Sequence, residues 1–109
     1  MATVTAKRLT LALVSDSLGV IYTPSGATKG VVHLIEIHNI NTTAENVLLY
    51  DNNGSTNFLM KNLSIDPDDT VFITYPGEGS VYENGDSLKA ITDTASKVNI
   101  KVNGSEITA

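Results

Sequence analysis

Apolar residues recur at every second position in short runs along most of this chain, and this period of two constrains its fold more than any other feature. The clearest run spans residues 97–102, where Val98, Ile100 and Val102 alternate with polar residues. Such alternation is typical of a β-strand with one face in the core and one in solvent. Amphipathic helices instead repeat apolar residues at i, i+3 and i+4, and no long window of the sequence has that pattern. We therefore expect little or no helix.

Residues that favour turns separate these runs at regular intervals. Asn84-Gly85 and the segment 51–54 (DNNG) are tight-turn signals, because Asn and Gly tolerate a positive φ. The segment 66–69 (DPDD) is a third turn, since proline presets φ and the carboxylates accept nearby backbone N–H groups. About eight short strands joined by such turns predict an all-β, antiparallel β-sandwich of the jelly-roll or a related Greek-key type.

The length of 109 residues is that of one domain. Residues 1–7 have no apolar periodicity and are predicted to form a flexible N-terminal arm, because chain termini stay mobile unless another surface holds them. Residues 8–109 are predicted to form the β-sandwich domain. The spacing of Leu9, Leu11 and Leu13 at its start predicts a strand with all three side chains facing the core.

The segment 30–50 has the longest strand signal in the chain. Two apolar runs flank a polar stretch at 39–46, which predicts a β-hairpin near the centre of a sheet. The first run is apolar at both odd and even positions, whereas a sheet with one solvated face alternates cleanly. We therefore expect a neighbouring subunit to cover part of one face. The residues of this predicted interface are Val32, Leu34, Glu36 and His38.

Composition excludes several classes of function. The chain has no cysteine, so zinc-thiolate clusters and thiol catalysis are absent. Seven basic and twelve acidic residues give a net charge of -5, which disfavours nucleic acid as a partner. The apolar run 9–14 is shorter than the core of a secretory signal, and no stretch approaches the ~18 apolar residues of a membrane helix. We expect neither a signal peptide nor a membrane partner.

The two histidines, His33 and His38, do not predict a metal site. They are five positions apart, which places them on opposite faces of a strand, so they cannot bind one metal ion together. Glu36 and His38 share a face and are spaced to form a hydrogen-bonded pair. No nucleophile accompanies that pair, so we interpret it as solvated or as part of an interface. The sequence therefore predicts no catalytic residue, no metal and no cofactor, and a protein that is not an enzyme.

Two further groups of residues leave alternatives open. The turns 51–54 and 66–69 offer oxygen ligands of the kind that Ca²⁺ prefers, but neither begins a complete EF-hand loop, and we interpret both as turns. Tyr75 and Tyr82 bracket a loop and are candidates for a shallow partner-binding groove. An exposed aromatic patch there is what a glycan-binding or partner-binding module requires.

Five segments taken in order carry a family resemblance. They are 22–26 (YTPSG), 31–39 (VVHLIEIHN), 42–47 (TTAENV), 83–90 (ENGDSLKA) and 98–104 (VNIKVNG). In this order they resemble small virion proteins of tailed bacteriophages, in which a glycine-containing turn leads into a strand that ends in Asn, and a late Gly-Asp turn precedes the terminal strand. The similarity covers most of residues 18–107. The segments 66–69 and 77–83 depart from it.

This resemblance implies a structural role and brings no catalytic residues with it. It implies a β-sandwich subunit of the virion, assembled in the host cytoplasm, that acts as a capsid decoration (cement) protein on the head shell. Its expected partners are copies of itself, with a trimer favoured, and the major capsid protein or other virion proteins. A ring or adaptor protein of the neck or tail is the alternative within the same family.

Overall fold

Nine β-strands form in the computed structural model, which describes residues 3–24 and 29–108. No described residue is helical, in agreement with the absence of a helical apolar pattern. None of them forms a helix long and apolar enough to cross a membrane. The strands are β1 (Thr3–Leu13), β2 (Gly19–Tyr22), β3 (Lys29–Asn39), β4 (Glu45–Asn52), β5 (Asn57–Ile65), β6 (Thr70–Thr74), β7 (Ser80–Glu83), β8 (Ser87–Thr92) and β9 (Val98–Thr108).

The strands form two antiparallel sheets that pack as a β-sandwich, which confirms the predicted fold class. Sheet A has the order β1-β9-β3-β6, and β7 pairs with the other end of β3, beside β6. Sheet B has the order β2-β8-β4-β5. The inward side chains of both sheets form a single core. Each sheet therefore keeps one face on this core and turns the other outward.

The strand pairing is nested along the chain. β1 pairs with β9, β2 with β8, β3 with β6 and β7, and β4 with β5. Two further pairings, β3 with β9 and β4 with β8, join these ladders into the two sheets. The chain therefore changes sheet at most of its connections, and residues far apart in sequence lie side by side.

The core is built from the apolar alternation that the sequence displays. Val98, Ile100 and Val102 are fully buried, as their spacing predicted, and the neighbouring strand β3 adds Ile35 and Ile37. Sheet B adds the inward residues of β4 and β8, chiefly Val47, Leu49, Leu88 and Ala90. At about 25 cal/mol per Å² of apolar surface, burial of these side chains is the main stabilising contribution to the fold.

The prediction that residues 30–50 form a β-hairpin is wrong. β3 lies in sheet A and β4 in sheet B, so the connection between them is a corner that crosses from one sheet to the other. The buried side chain of Asn39 holds this corner: its Nδ2 donates to the carbonyl oxygens of Thr43 (3.0 Å) and Ile65 (2.9 Å). Its Oδ1 accepts from the backbone N–H of Asn41 at 2.8 Å. Each of the two strands is nevertheless interior to its own sheet, as expected.

A β-bulge in β1 changes which leucines face the core. The pairing with β9 shifts register between Arg8 and Thr10, which leaves Leu9 as the extra residue. Because one inserted residue reverses every later side chain, Leu11 and Leu13 point outward and are 59% and 52% exposed. The prediction that Leu9, Leu11 and Leu13 all face the core is therefore wrong for two of the three; Leu9 packs against the core.

A second bulge lies in β3, on the other side of β9, with His33 as its extra residue. Both bulges adjoin Gly104, where the backbones come unusually close. A Cβ placed on Gly104 would lie 1.9 Å from the carbonyl oxygen of Val31 and 3.1 Å from Cδ1 of Leu9. Only glycine fits at such a contact, so this residue fixes the register of sheet A around it.

The N-terminal segment also differs from the prediction of an unpaired arm over residues 1–7. Thr3–Lys7 continues β1 and pairs with residues 104–108 of β9, although its side chains are exposed. The lack of apolar residues in this segment does not prevent it from pairing as a strand, because the backbone of β9 supplies the hydrogen-bonding partners. Residues 1 and 2, and residues 25 and 26 of the predicted turn after Pro24, lie outside the described residues.

Candidate functional site

The outward residues of β1, β9, β3 and β6 form one surface, which we call the outer face of sheet A. Three residues of the predicted subunit interface lie on it: Leu34, Glu36 and His38, all half-buried. Val32 does not, because the bulge at His33 turns it inward, where it is fully buried in the core. Its assignment to the predicted interface is therefore corrected.

The register across sheet A combines these residues with others from distant parts of the sequence. Leu11, Lys101, Glu36 and Phe72 occupy one row across the four strands. Phe72 is 61% exposed, and no ion pair joins Glu36 to Lys101 within this described row. The outer face of sheet A is thus charged at its centre and apolar at both margins.

His38 is bonded to the turn that follows β5 and to β6, not to Glu36. Its Nδ1 lies 2.7 Å from Oγ1 of Thr70, and its Nε2 lies 3.2 Å from Oδ1 of Asp68. Asp68 belongs to the turn 66–69 and has a positive φ of 58°. The imidazole therefore anchors this acidic turn to the sheet, and its ring nitrogens are both occupied by structural partners.

Neither histidine belongs to a metal site among the residues that the structure describes. No group of three or more His, Asp or Glu side chains comes close enough there to hold a metal ion. The segment 66–69 closes as a turn through the bond from the N–H of Asp69 to the carbonyl of Asp66. In the segment 51–54, the Asn53 side chain bonds to the backbone of Ser55 and Thr56. The segment 66–69 is a turn, as interpreted from the sequence, whereas Asp51 and Asn52 end β4 and the chain turns at 53–56.

The predicted partner-binding loop does not present two tyrosines. Tyr82 is only 3% exposed, and its ring packs edge-on against Tyr22 with centroids 6.1 Å apart. Its hydroxyl donates to Oδ1 of Asp51 at 2.6 Å. Burial, and then this bond, raise the pKa of Tyr82 above its ordinary value of 10.0. Tyr75 is half-buried against the core, so the exposed aromatic patch expected from Tyr75 and Tyr82 does not form.

A groove of about 470 Å³ opens between β1 and β2, at one side of the sandwich. Its lining includes Glu106, which bonds to two other lining residues: Lys7 Nζ lies 2.5 Å from Oε1 of Glu106, and the Tyr22 hydroxyl donates to Oε2 at 2.7 Å. The bond from Lys7 is the main cause that lowers the pKa of Glu106, and the bond from Tyr22 adds to it. Both carboxylate oxygens are occupied, so Glu106 is not placed as a free base.

The most buried carboxylate in the described sandwich is Glu45, which is 2% exposed at the start of β4. It accepts from the backbone N–H of Thr94 (2.9 Å), and from the side chains of Thr94 (3.0 Å), Thr92 (3.1 Å) and Asn41 (3.1 Å). Burial by itself raises the pKa of Glu45, but these hydrogen bonds outweigh it and hold the pKa below 4.5. Its role is structural, because every bond ties the β8–β9 turn or the β3–β4 corner to β4.

A second outward surface was missed by the sequence reasoning. We call it the outer face of sheet B, and it consists of the outward residues of β2, β8, β4 and β5. One row across it is Leu59, Tyr50, Lys89 and Val20. The next row contains Leu48 and Ile91. Leu59 is 53% exposed and Val20 is 56% exposed, and the residues between them are half-buried.

The sequence carries a signal for this surface. Residues 47–50 (VLLY) are four consecutive apolar residues in one strand, and residues 58–60 (FLM) are three in the next. Consecutive apolar residues place large side chains on both faces of a strand. The same argument is weaker for β3, because the bulge at His33 and the charges on Glu36 and Lys101 interrupt its apolar faces.

No protein-family model matches this sequence, and no curated protein matches it. Among solved structures, it is similar to a pentameric capsid protein isolated from metagenomic phage sequences, with 16% sequence identity and a TM-score of 0.37 over 88% of this chain. This chain spans 62% of the length of that capsid protein. A TM-score this low does not establish a shared fold, so the likeness carries no argument about function.

Proposed function

We propose that this protein is a structural subunit of a tailed-phage virion: a capsid decoration protein that forms a homo-oligomer and binds the assembled head shell. The observation that carries this proposal is the uncovered apolar surface on both sides of one small sandwich. Leu11, Phe72, Val20 and Leu59 are each more than half exposed, on two opposite faces. Large exposed apolar patches on a folded domain are typical of surfaces that bind other proteins.

The strand order supports the same proposal. Nested pairing of β1 with β9, β2 with β8, β3 with β6 and β7, and β4 with β5 is the order expected when one long hairpin is rolled into two four-stranded layers. We infer from it that the sandwich is a jelly roll, with the return strand that pairs with β3 split into β6 and β7. Jelly rolls occur in viral capsid proteins, but also in lectins and cupins, so this support is an analogy of fold.

The sequence resemblance supplies the assignment to phage virions. The segments 31–39 and 98–104 that carry it are β3 and β9, the two central strands of sheet A. The outer face of sheet A, with Leu34, Glu36 and His38, is the surface that we propose contacts a neighbouring virion protein. Its charged centre and apolar margins suit a contact between proteins that fold separately, since such interfaces are about as polar as the rest of a protein surface.

Catalysis is not part of the proposal. In the described residues, the titratable side chains that approach one another are Lys7 with Glu106, Tyr22 with Glu106, Tyr82 with Asp51, and His38 with Asp68. Each pair joins two parts of the sandwich, and the Thr70 hydroxyl that bonds to His38 belongs to the same structural contact. We likewise propose no cofactor.

The experiment that tests the proposal is particle association. Purified protein is mixed with heads that lack it, and the bound layer is measured by co-sedimentation and cryo-electron microscopy. We expect saturable binding to the heads, and the layer's symmetry tests the trimer favoured by the resemblance. Phe72→Lys, on the outer face of sheet A, is expected to weaken binding at least about tenfold, which corresponds to ~1.4 kcal/mol.

The same preparation separates the alternatives. Binding to necks or tails without binding to heads would replace decoration by a ring or adaptor role within the structural class. Binding to no virion part would contradict the structural proposal. A glycan-binding module is not favoured by any feature of the described residues, since the buried Tyr82 removes the aromatic patch on which it depended. Heat released on titration with host polysaccharide would restore that alternative.

A further inference from the structure

The outer face of sheet B has a composition that the rest of the protein surface lacks. Its central residues are apolar or aromatic, and its centre holds one charge, on Lys89. Of the twelve acidic residues, only Glu45 and Asp51 lie in the strands of sheet B. Both point inward, Glu45 to Thr92 and Asp51 to Tyr82. The outward residues of these four strands therefore include no carboxylate, in a protein of net charge -5. Asp93, directly after β8, bonds to the backbone N–H of Asn46 at the margin of the face.

We propose that this face binds a second copy of the chain, related to the first by a two-fold axis that runs parallel to the strands between β8 and β4. The inference rests on the proposed function in that both require a homo-oligomer. It goes further by naming the surface and the symmetry of one contact.

The strand order makes the face self-complementary under this symmetry. In the order β2-β8-β4-β5, such an axis places β4 on β8 of the second copy and β5 on β2 of the second copy. Leu48 then faces Ile91 of the second copy, and Leu59 faces Val20 of the second copy. Both pairs are apolar and occur twice, as in every contact with two-fold symmetry.

The single charge in the row is also matched. Tyr50 and Lys89 are neighbours on β4 and β8, so the axis places Lys89 over the ring of Tyr50 in the second copy. An ammonium group over an aromatic face is attracted by the ring quadrupole, and the attraction increases when water is excluded.

Net charge favours this face over others. Two copies of charge -5 repel each other, and the repulsion is smallest when the surfaces that meet carry no carboxylates. The outer face of sheet A presents Glu36 in its central row, and β7 at the edge of that sheet presents Glu83. The outer face of sheet B is the one sheet face, among the described strands, without an outward acidic residue.

The size of the face predicts the strength of the contact. Four strands at ~4.8 Å spacing and eight residues of β4 at ~3.4 Å each give a footprint of roughly 19 by 27 Å. That footprint is below the ~800 Å² per partner of a standard stable interface. We therefore expect a reversible dimer in solution, which multiple contacts in a particle strengthen.

Chemical cross-linking tests the symmetry directly, because the chain has no cysteine of its own. Val20→Cys and Leu59→Cys variants are purified separately and then mixed with a short bismaleimide. Facing sheets lie about 10 Å apart, whereas Leu59 and Leu59 of the second copy are roughly 17 Å apart across the axis. We expect cross-linked dimers from the mixture and few from either variant alone. Efficient cross-linking of Leu59→Cys to itself would overturn the proposed axis.

Sedimentation equilibrium tests the contact without cysteines. The expected mass of the assembly is an even multiple of the 11.6 kDa chain. This also holds if a three-fold contact forms elsewhere on the protein, because the two contacts together give an even number of chains. Leu59→Lys is expected to raise the dissociation constant at least about tenfold. The matched control is Ile40→Lys, in the corner between β3 and β4 with a similar exposure of 47%, and we expect a change within about twofold.

Three results would overturn the inference. They are a monomer at all concentrations, a mass that is only an odd multiple of the chain, and equal weakening by Leu59→Lys and Ile40→Lys. Because these measurements use the purified protein, they can fail while particle association succeeds. Conversely, a two-fold dimer that binds no virion part would contradict the proposed function alone.

Discussion

Sheets A and B distribute their charged residues in opposite ways. In sheet A, the two central strands place Ile35, Ile37, Val98, Ile100 and Val102 inward, and Lys101, Glu36 and His38 outward. In sheet B, β4 places two carboxylates inward, one near each of its ends, and Leu48 and Tyr50 outward. The same sandwich thus has one outer face that tolerates water and one that is largely apolar.

In β4, the burial of charged side chains and the exposure of apolar side chains have a common cause, which is the order of its residues. Residues 45–51 are Glu, Asn, Val, Leu, Leu, Tyr and Asp, so the inward set of Glu45, Val47, Leu49 and Asp51 leaves Asn46, Leu48 and Tyr50 outward, with no charge among them. The inward carboxylates are tolerated because each one is hydrogen-bonded. The four predictions below test how far the two sheets differ, in order of decreasing effect.

The largest effect is expected at the tight packing within sheet A. Gly104→Ala places a Cβ 1.9 Å from the carbonyl oxygen of Val31, so strands β9 and β3 must separate. We expect the free energy of unfolding to fall by about 3 kcal/mol, measured by urea denaturation. The matched control is Gly19→Ala in β2 of sheet B, where the nearest atom is 3.8 Å away, and we expect a change within about 1 kcal/mol. Equal losses would show that the contact at Gly104 is unimportant.

The next effect is expected at the inward carboxylate of sheet B. Glu45→Gln replaces one acceptor oxygen by an NH₂ group that faces hydroxyl and N–H donors. We expect a loss of about 2 kcal/mol, because at least one buried donor is left without a partner. Glu36→Gln makes the same change on the outer face of sheet A and should cost less than about 0.5 kcal/mol in thermal or urea unfolding. The comparison between the sheets is wrong if the two variants lose the same amount.

Acid unfolding sharpens the same contrast. The pKa values of Glu45 and Glu106 are both held below 4.5 in the folded protein. A carboxylate whose pKa is lower in the folded protein than in the unfolded chain stabilises the fold at pH values above its unfolded-state pKa. This stabilisation is lost as the pH falls through the folded-state pKa. We therefore expect the free energy of unfolding to decline below about pH 4.5, with a smaller slope in Glu45→Gln and in Glu106→Gln than in the wild type. An unchanged slope in both variants would contradict the assigned hydrogen bonds.

The smallest effect concerns the charged pair at the centre of the outer face of sheet A. Glu36 and Lys101 are cross-strand neighbours without an ion pair, so a double-mutant cycle with alanine should give a coupling below about 0.5 kcal/mol. Lys7 and Glu106, which are bonded at 2.5 Å with the carboxylate 13% exposed, provide the positive control and should couple more strongly. Strong coupling of Glu36 with Lys101 would mean that their charges are engaged within one chain and are not free for a partner.

Alternation predicted the strands well wherever the register was uninterrupted. β9 follows the predicted set, with Val98, Ile100 and Val102 fully buried. The prediction failed at β1 and β3, where the bulges at Leu9 and His33 reverse the later side chains. A bulge is decided by the partner strand, and both bulges lie beside Asn103 of β9, next to Gly104, which is remote in sequence.

The candidate surfaces were predictable only in part. The spacing of Leu34, Glu36 and His38 was enough to place them on one face. It could not predict the rows across the sheet that join them to Leu11, Lys101 and Phe72. Tyr82 looked like a loop residue from its neighbours and is instead buried against Tyr22. The outer face of sheet B combines four strands that are far apart in sequence, so no local pattern could assemble it.

The sequence by itself determined the class of fold and the absence of cysteine chemistry, because alternation and composition are local properties that survive any arrangement of the strands. The tertiary structure decided which strands pair, and therefore which side chains share a surface. The corner at Asn39, which sends β4 to the opposite sheet from β3, is the clearest case. Its side chain bonds to backbone groups on both sides of the corner, and contacts between such distant residues are fixed only when the whole sandwich has formed.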